Sequence, residues 1–276
     1  MTRTSHKQCI PLILTVVTFL FLCLFLYGFM LILNFLPTQE KVQFSLRKRD
    51  VLVGLTIYLK TSIDFAIFIG NLMRGNPGWK NRIAIEIGTT VGNALGTLAV
   101  LTIWNFFREV TLLMAFMIIL ASFVLLKMAE ESFEEFKKNK IPVATTLMKL
   151  LFYPFKKINH LFSPVLNKLV PRVGIAKVNK MPWIRLAFFS FTIPFILGLD
   201  DFAGYIPLFS VINVFGFAIG VFLGHMLLTA ALFLSPKRTI AVVKHPLMLF
   251  MGTLAFIAIA LFGFLEVFRL ILSLVH

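Results

Sequence analysis

Long uninterrupted apolar runs alternate along this chain with short basic loops and with turns rich in glycine and proline. The runs are Ile10–Leu36, Val51–Met73, Ile83–Phe107, Val110–Lys127, Pro182–Leu208, Val211–Leu234 and Pro246–Leu274. A helix needs roughly 20 apolar residues to cross the hydrocarbon core of a bilayer, and every run is close to that length. Their residues are apolar continuously rather than alternately, which excludes a membrane barrel. The pattern predicts an all-α integral membrane protein with seven transmembrane helices. The first run is longer than the core of a signal peptide and has no small-residue cleavage site near its end. Residues 1–45 are therefore expected to form an uncleaved anchor helix.

The second, third and fourth runs are echoed, in order, by the fifth, sixth and seventh. Asp64-Phe65-Ala66-Ile67-Phe68-Ile69 returns as Asp201-Phe202-Ala203-Gly204-Tyr205-Ile206. Gly88, Gly92 and Gly96 return as Gly216, Gly220 and Gly224, a spacing that lines one helix face and lets another helix come close. Leu113-Met114, Phe116-Met117 and Leu120-Ala121 align with Leu247-Met248, Phe250-Met251 and Leu254-Ala255. An odd number of spans per unit sends the second unit into the bilayer from the opposite face. Segments 46–128 and 182–276 are thus expected to be inverted three-helix repeats about a pseudo-two-fold axis in the membrane plane. The first run stands outside this scheme.

Between the repeats lies a basic connector, 129–181. Glu130, Glu131, Glu134 and Glu135 precede Lys137, Lys138 and Lys140, a pattern that suits an exposed helix. From Val143 onward apolar residues mix with Lys149, Lys156, Lys157 and Lys168 and are punctuated by Pro154, Pro164 and Pro171. Short amphipathic helices on the cytoplasmic membrane surface are expected there.

Composition agrees with the class: 59% of the 276 residues are hydrophobic, 14% are charged and the mean hydropathy is +0.91, which no soluble domain of this size sustains. The net charge of +15 does not point to nucleic acid, because the basic residues collect in loops and carry no nucleic-acid motif. Cys9 and Cys23 form neither a disulfide framework nor a metal spacing. Arg3 and Lys7, the 74–82 loop, the connector and the 236–245 loop all fall on one side if the N-terminus is cytoplasmic, with Arg47-Lys48-Arg49 as the exception. A multi-pass protein of the inner (plasma) membrane with its N-terminus inside follows.

Ionised carboxylates are costly in hydrocarbon and are kept there mainly for a partner or a task. Asp64 and Asp201, matched in matched spans, are the first candidates for an ion path, although Lys60 lies one turn before Asp64 and could pair with it. Asp200 adds a carboxylate. Pro194, Gly198, Gly204 and Pro207 leave two readings for its surroundings, a broken binding helix or a helix end. Glu86 opens the third run, facing either the interface or the interior. Asn93, Asn213 and His225 could add an amide oxygen or an imidazole, although a lone histidine in a span is more often a hydrogen-bonded structural residue than a ligand. Glu266 is expected to pair with Arg269 along its helix. Carboxylate and amide oxygens suit hard divalent ions, and equally a cationic organic solute. No metalloprotease helix, Walker loop or nucleophile–His pair occurs, so neither an enzyme nor a bound cofactor is expected.

From about Val51 to Leu274, as two three-helix units, the chain resembles the LysE-type transporter superfamily, which includes manganese exporters, cadmium-resistance proteins, TerC-like proteins and amino-acid exporters. Ser62-Ile63-Asp64-Phe65-Ala66 and Leu199-Asp200-Asp201-Phe202-Ala203 look like the aspartate motifs of its metal-exporting members, and Glu86 before Gly88 and Gly92 is similar to the acid of their second helix. The resemblance implies that Asp64, Glu86 and Asp201 line the ion path as metal ligands, with Asp200 beside them. The extra first span, the long connector and the lack of a second-half counterpart to Glu86 depart from the pattern. The function implied is secondary transport: export of a divalent cation such as Mn²⁺ or Cd²⁺ by proton or ion exchange. Export of a small organic solute such as an amino acid is the alternative, and a non-transporting membrane scaffold is a third class. The expected partners are the lipid bilayer and the transported ion or solute, with homodimerisation left open.

Overall fold

The computed structural model describes residues 3–37, 41–137, 181–203 and 205–275, apart from the side chains of 3–8, 11, 64, 137, 193, 196–203 and 275. The regular elements of this part are all helical: α1 (Arg3–Phe35), α2 (Lys48–Thr61), α3 (Ile63–Gly75), α4 (Trp79–Phe107), α5 (Thr111–Lys137), α6 (Trp183–Ala203), α7 (Val214–Leu234), α8 (Pro236–Val243) and α9 (Pro246–Val275), with a 3₁₀ turn at Ile206–Leu208. Five of them, α1, α4, α5, α7 and α9, are long and apolar enough to cross a membrane, and the bent pair α2 and α3 raises the number to six. The second half of α6 lies outside that search. Most of the connector, 138–180, lies outside the described residues.

The run expected as one span over 51–73 is two helices whose axes differ by 62°. Neither proline nor glycine marks the break. The Thr61 hydroxyl instead donates back to the carbonyls of Ile57 (3.3 Å) and Tyr58 (3.1 Å), and Ser62 leaves the helical region at φ −80°, ψ 26°. A hydroxyl that returns to the preceding turn competes with the helical ladder and bends it. Conversely, α5 runs past Lys127 to Lys137, because Ala129, Phe133 and Phe136 extend its buried stripe beyond the apolar run. α6 continues through Pro194 to Ala203, so Asp200 and Asp201 stand in its last turn.

Two compact units form. The first takes the described residues of Met1–Asn105, Gly174–Asp201 and Ile212–Val243, and the second those of Phe106–Val173, Phe202–Val211 and Lys244–His276. Each sequence half therefore gives its first two segments to one unit and its third long helix to the other.

In the first unit glycines set the helix pairing. A Cβ on Gly88 would strike the Ala187 carbonyl, and one on Gly92 the Phe191 carbonyl, so α4 runs parallel to α6 with their backbones nearly touching. Gly216 lies against Ser45 and Asp50, Gly220 against Val51 and Leu55, and Gly224 against Tyr58, so α7 runs parallel to α2 in the same manner. Gly54 of α2 answers from the other side, against the Phe217 carbonyl. Gly96 is buried on the same helix as Gly88 and Gly92. The second segment of each half thus seats its glycine face on the first segment of the other. Small residues allow this approach, which gives dispersion contact where lipid offers no hydrophobic drive.

The two parallel pairs point in opposite directions. Arg82 and Thr90 of α4 meet Phe233 and His225 of α7, while Phe68 and Asn76 meet Phe189 and Met181 around α3 and α6. One end of the unit therefore gathers Arg74, Lys80, Arg82, Lys237 and Arg238. There Asn76 Oδ1 accepts from Met181 N at 3.0 Å, and Trp183 Nε1 donates to the Lys80 carbonyl at 3.1 Å. At the other end Asn34 and Val42 exchange two hydrogen bonds (2.9 and 2.7 Å), and Asn213 Nδ2 donates to the Gln43 carbonyl at 2.8 Å. α1 buries the stripe Thr15, Leu22, Leu26, Met30 and Leu33 and exposes its remaining apolar surface, as a lipid-facing helix would.

The second unit is an antiparallel pair. Ser122 and Phe123 of α5 pack on Gly263 and Phe264 of α9, and Ser132 and Phe136 on Leu249 and Phe250. Pro207 of the 3₁₀ turn also packs on Gly263. Glu266 and Arg269 do pair, at 3.5 Å.

Candidate functional site

α4 has a second face besides its glycines. Glu86, Thr90, Asn93 and Thr97 recur at helical spacing and are all buried, Glu86 and Thr97 completely. This polar stripe meets α1 on one side and α7 on the other. The Thr18 hydroxyl of α1 donates to Glu86 Oε1 at 3.3 Å. Oε2 has no hydrogen-bond partner among the described residues. Glu86 is thus an interior side chain, not an interfacial one.

One turn further on, Thr90 Oγ1 lies 3.5 Å from Nε2 of His225, and Nδ1 of the same ring lies 2.9 Å from the Tyr58 hydroxyl. His225 is in the middle of α7 and only 2% exposed. Phe65 of α3 packs on its ring at a centroid distance of 5.5 Å. Thr18 on Glu86, and one turn further along α4 Thr90 with His225 and Tyr58, thus place polar side chains of four helices of one unit along one line. Asn93 Nδ2, Thr97 Oγ1 and Thr229 Oγ1 lie buried along the same two helices, without partners among the described residues. Unsatisfied buried polar groups cost free energy, so a cluster of them is expected where ions or protons act.

The other expected site residues fall as follows. Asp64 occupies the first turn of α3, directly after the break at Ser62 and next to Phe65, which touches His225. Its side chain, like those of Asp200 and Asp201, lies outside the described residues. Asn213 sits at the entry to α7 with both amide atoms engaged: Oδ1 accepts from Gly216 N at 3.1 Å as the helix N-cap, and Nδ2 holds Gln43. The line therefore takes in Glu86 and His225 and leaves Asn213 at a helix end. Among the described residues no three His, Cys, Asp or Glu side chains gather as a metal site.

Sequence reasoning missed Tyr58, Thr18 and Thr90. The spacing of Glu86, Thr90, Asn93 and Thr97 was readable as one helix face. The contributions of α1 and Tyr58 were not, since they come from distant segments. Two further buried charges were also overlooked. Asp50 is fully buried in the first turn of α2, 3.4 Å from Arg49 Nε, and Lys127 of α5 is 7% exposed with no partner for Nζ among the described residues. A carboxylate in a first helical turn is favoured by the helix dipole.

Compared with models of known protein families, with characterised proteins and with solved structures, the chain matches none.

Proposed function

We propose that the chain is a secondary transporter that exports a divalent cation, such as Mn²⁺ or Cd²⁺, in exchange for protons or another ion. The observation that carries this reading is Glu86: a carboxylate wholly buried in a helix of membrane-spanning length, with one oxygen unpartnered among the described residues. Ionisable residues in that setting face a bundle interior and mark ion pathways. Three further features support it. The reciprocal seating of α4 on α6 and of α7 on α2, with the antiparallel pair α5 and α9, is what two inverted repeats would make. The helix break falls two residues before Asp64, and discontinuous helices are where transporters of this kind hold their cargo. The basic loops gathered at one end of the first unit favour a cytoplasmic location for that end in the inner membrane.

In this reading Asp64, Glu86 and Asp201, with Asp200 beside them, supply the cargo site, and the resemblance to the LysE-type superfamily is the reason for choosing a metal over an organic cation. The test is flux through purified protein in liposomes. Asp64→Asn and Asp201→Asn, each folded as judged by melting, are expected to abolish Mn²⁺ flux. Flux at the wild-type rate in both variants would exclude the aspartates as the cargo site.

A further inference from the structure

At one end of the first unit six basic side chains gather, and the chain supplies nothing to neutralise them. Arg74 stands in the last turn of α3, Lys80 and Arg82 in the first turn of α4, Arg185 in that of α6, and Lys237 and Arg238 in that of α8. No Asp or Glu occurs in 65–85, 138–199 or 202–265, and among the described residues none of the six is in an ion pair. Five of them are exposed. Arg82 differs. It is half-buried, its Nη1 donates to the Phe233 carbonyl of α7 at 2.6 Å, and its Nε is buried with no hydrogen-bond partner among the described residues. The guanidinium is thus held in one orientation with donor capacity that the chain leaves unused.

α8 sets the neighbouring charges. Its inner face is fixed: Thr239 Oγ1 donates to the Ala231 carbonyl at 3.0 Å, Ile240 fills the space left by Gly70 of α3, and Val243 is buried. Its outer face, Lys237, Arg238, Ala241 and Val242, is exposed. A helix with basic and apolar residues on its free face suits the headgroup layer of a membrane. Trp183 marks the same depth. It is half-exposed at the head of α6 and donates Nε1 to the Lys80 carbonyl, and Ile184 and Phe188 are exposed next along that helix. Tryptophan in such a place lies at the boundary between hydrocarbon and water.

We propose that this end of the first unit is a binding site for an anionic phospholipid, with the phosphate on Arg82, Lys237 and Arg238 and the acyl chains along the exposed Leu227 and Leu234 of α7. The chemistry recognised is a phosphate anion, which an arginine anchored at one nitrogen receives through the rest of its fork. Depth selects a lipid over free phosphate: Trp183 and Val242 set the basic residues at headgroup level, above apolar helix faces. General attraction of basic loops to an anionic leaflet needs no half-buried arginine. It would also act on the exposed Arg47, Lys48 and Arg49 at the other end of the unit, where Asp50 lies 3.4 Å from Arg49. The site is independent of what the protein carries, so it stands or falls apart from the transporter reading.

The experiment titrates the full chain in neutral detergent with phosphatidylglycerol or phosphatidylcholine of the same acyl chains, counts bound lipids by native mass spectrometry and follows the melting temperature. The wild type is expected to bind phosphatidylglycerol more tightly and to melt higher with it. Each charge removed is expected to weaken that binding about fivefold, so Lys237→Gln with Arg238→Gln should weaken it about 25-fold. Arg82→Gln should lose at least as much as either single change, and the exposed Lys237 and Arg238 pair carries the test if Arg82→Gln fails to fold. Arg47→Gln with Lys48→Gln is expected to keep the wild-type preference. Equal binding of the two lipids by the wild type would overturn the proposal, as would undiminished preference in the Lys237 and Arg238 variant. An equal loss in the Arg47 and Lys48 variant would show diffuse attraction in place of a site. Inorganic phosphate or glycerol 3-phosphate raising the melting temperature as far as phosphatidylglycerol does would make the ligand a free anion and overturn the assignment to lipid.

Discussion

Gly220 and Gly28 should respond in opposite ways to the same substitution. A Cβ on Gly220 would stand 2.9 Å from the backbone nitrogen of Leu55 and closer still to the Val51 carbonyl, where ordinary contact begins at 3.4 Å. Both obstacles are backbone and cannot rotate away, so α2 and α7 must part by about half an ångström or more along a tightly packed face. Overpacking of this kind costs about 3 kcal/mol, and the better helix propensity of alanine offsets about 1 kcal/mol. A net loss of about 2 kcal/mol lowers the melting temperature of a protein this large by about 4–8 °C. A Cβ on Gly28 would meet nothing within 4 Å. Gly28→Ala should therefore show only the propensity gain of about 1 kcal/mol, a rise of about 2–4 °C. Both variants can be melted in one detergent and followed by intrinsic fluorescence. Equal shifts, or a rise for Gly220→Ala, would refute the close seating of α7 on α2.

Two polar sites at the helix ends separate structural from incidental contacts. Asn213→Ala removes the α7 cap and the bond to Gln43; it should cost about 1–2 kcal/mol and speed proteolysis within 36–47, and an unchanged melting curve would show that the cap is idle. Glu266→Gln breaks an ion pair with an exposed Arg269 and should change stability by less than about 0.5 kcal/mol, so a large loss in the same melt would mean that Glu266 has another partner.

The class of the protein was legible because the bilayer imposes it: continuous apolar runs leave helices as the only described architecture. The glycine spacing also carried its meaning through, since Gly88, Gly92, Gly220 and Gly224 face the backbone or a ring of another helix and Gly216 faces the Ser45 carbonyl just before α2. The break at Ser62 was hidden because it depends on Thr61 bonding back into its own helix, and threonine in an apolar run is ordinarily unremarked. The end of α5 was misjudged for a related reason. Glu130, Glu131, Glu134 and Glu135 mask a buried stripe of Ala129, Phe133 and Phe136, which only the packing of α9 makes apparent. Glu86 and His225 were picked out one by one as ionisable groups inside apolar runs. Their placement along one line, and the role of α1 in holding Glu86, are tertiary facts with no local signature.

Cation movement across a bilayer, exchanged for protons, is the claim on which the functional reading stands. Purified protein reconstituted into liposomes, loaded with a Mn²⁺-sensitive dye and subjected to a pH gradient, measures it directly. Mn²⁺ should enter at a rate that follows the gradient and falls to the protein-free baseline when the gradient is collapsed with an ionophore. Entry at the protein-free rate under every gradient, for Mn²⁺ and for Cd²⁺ alike, would contradict it.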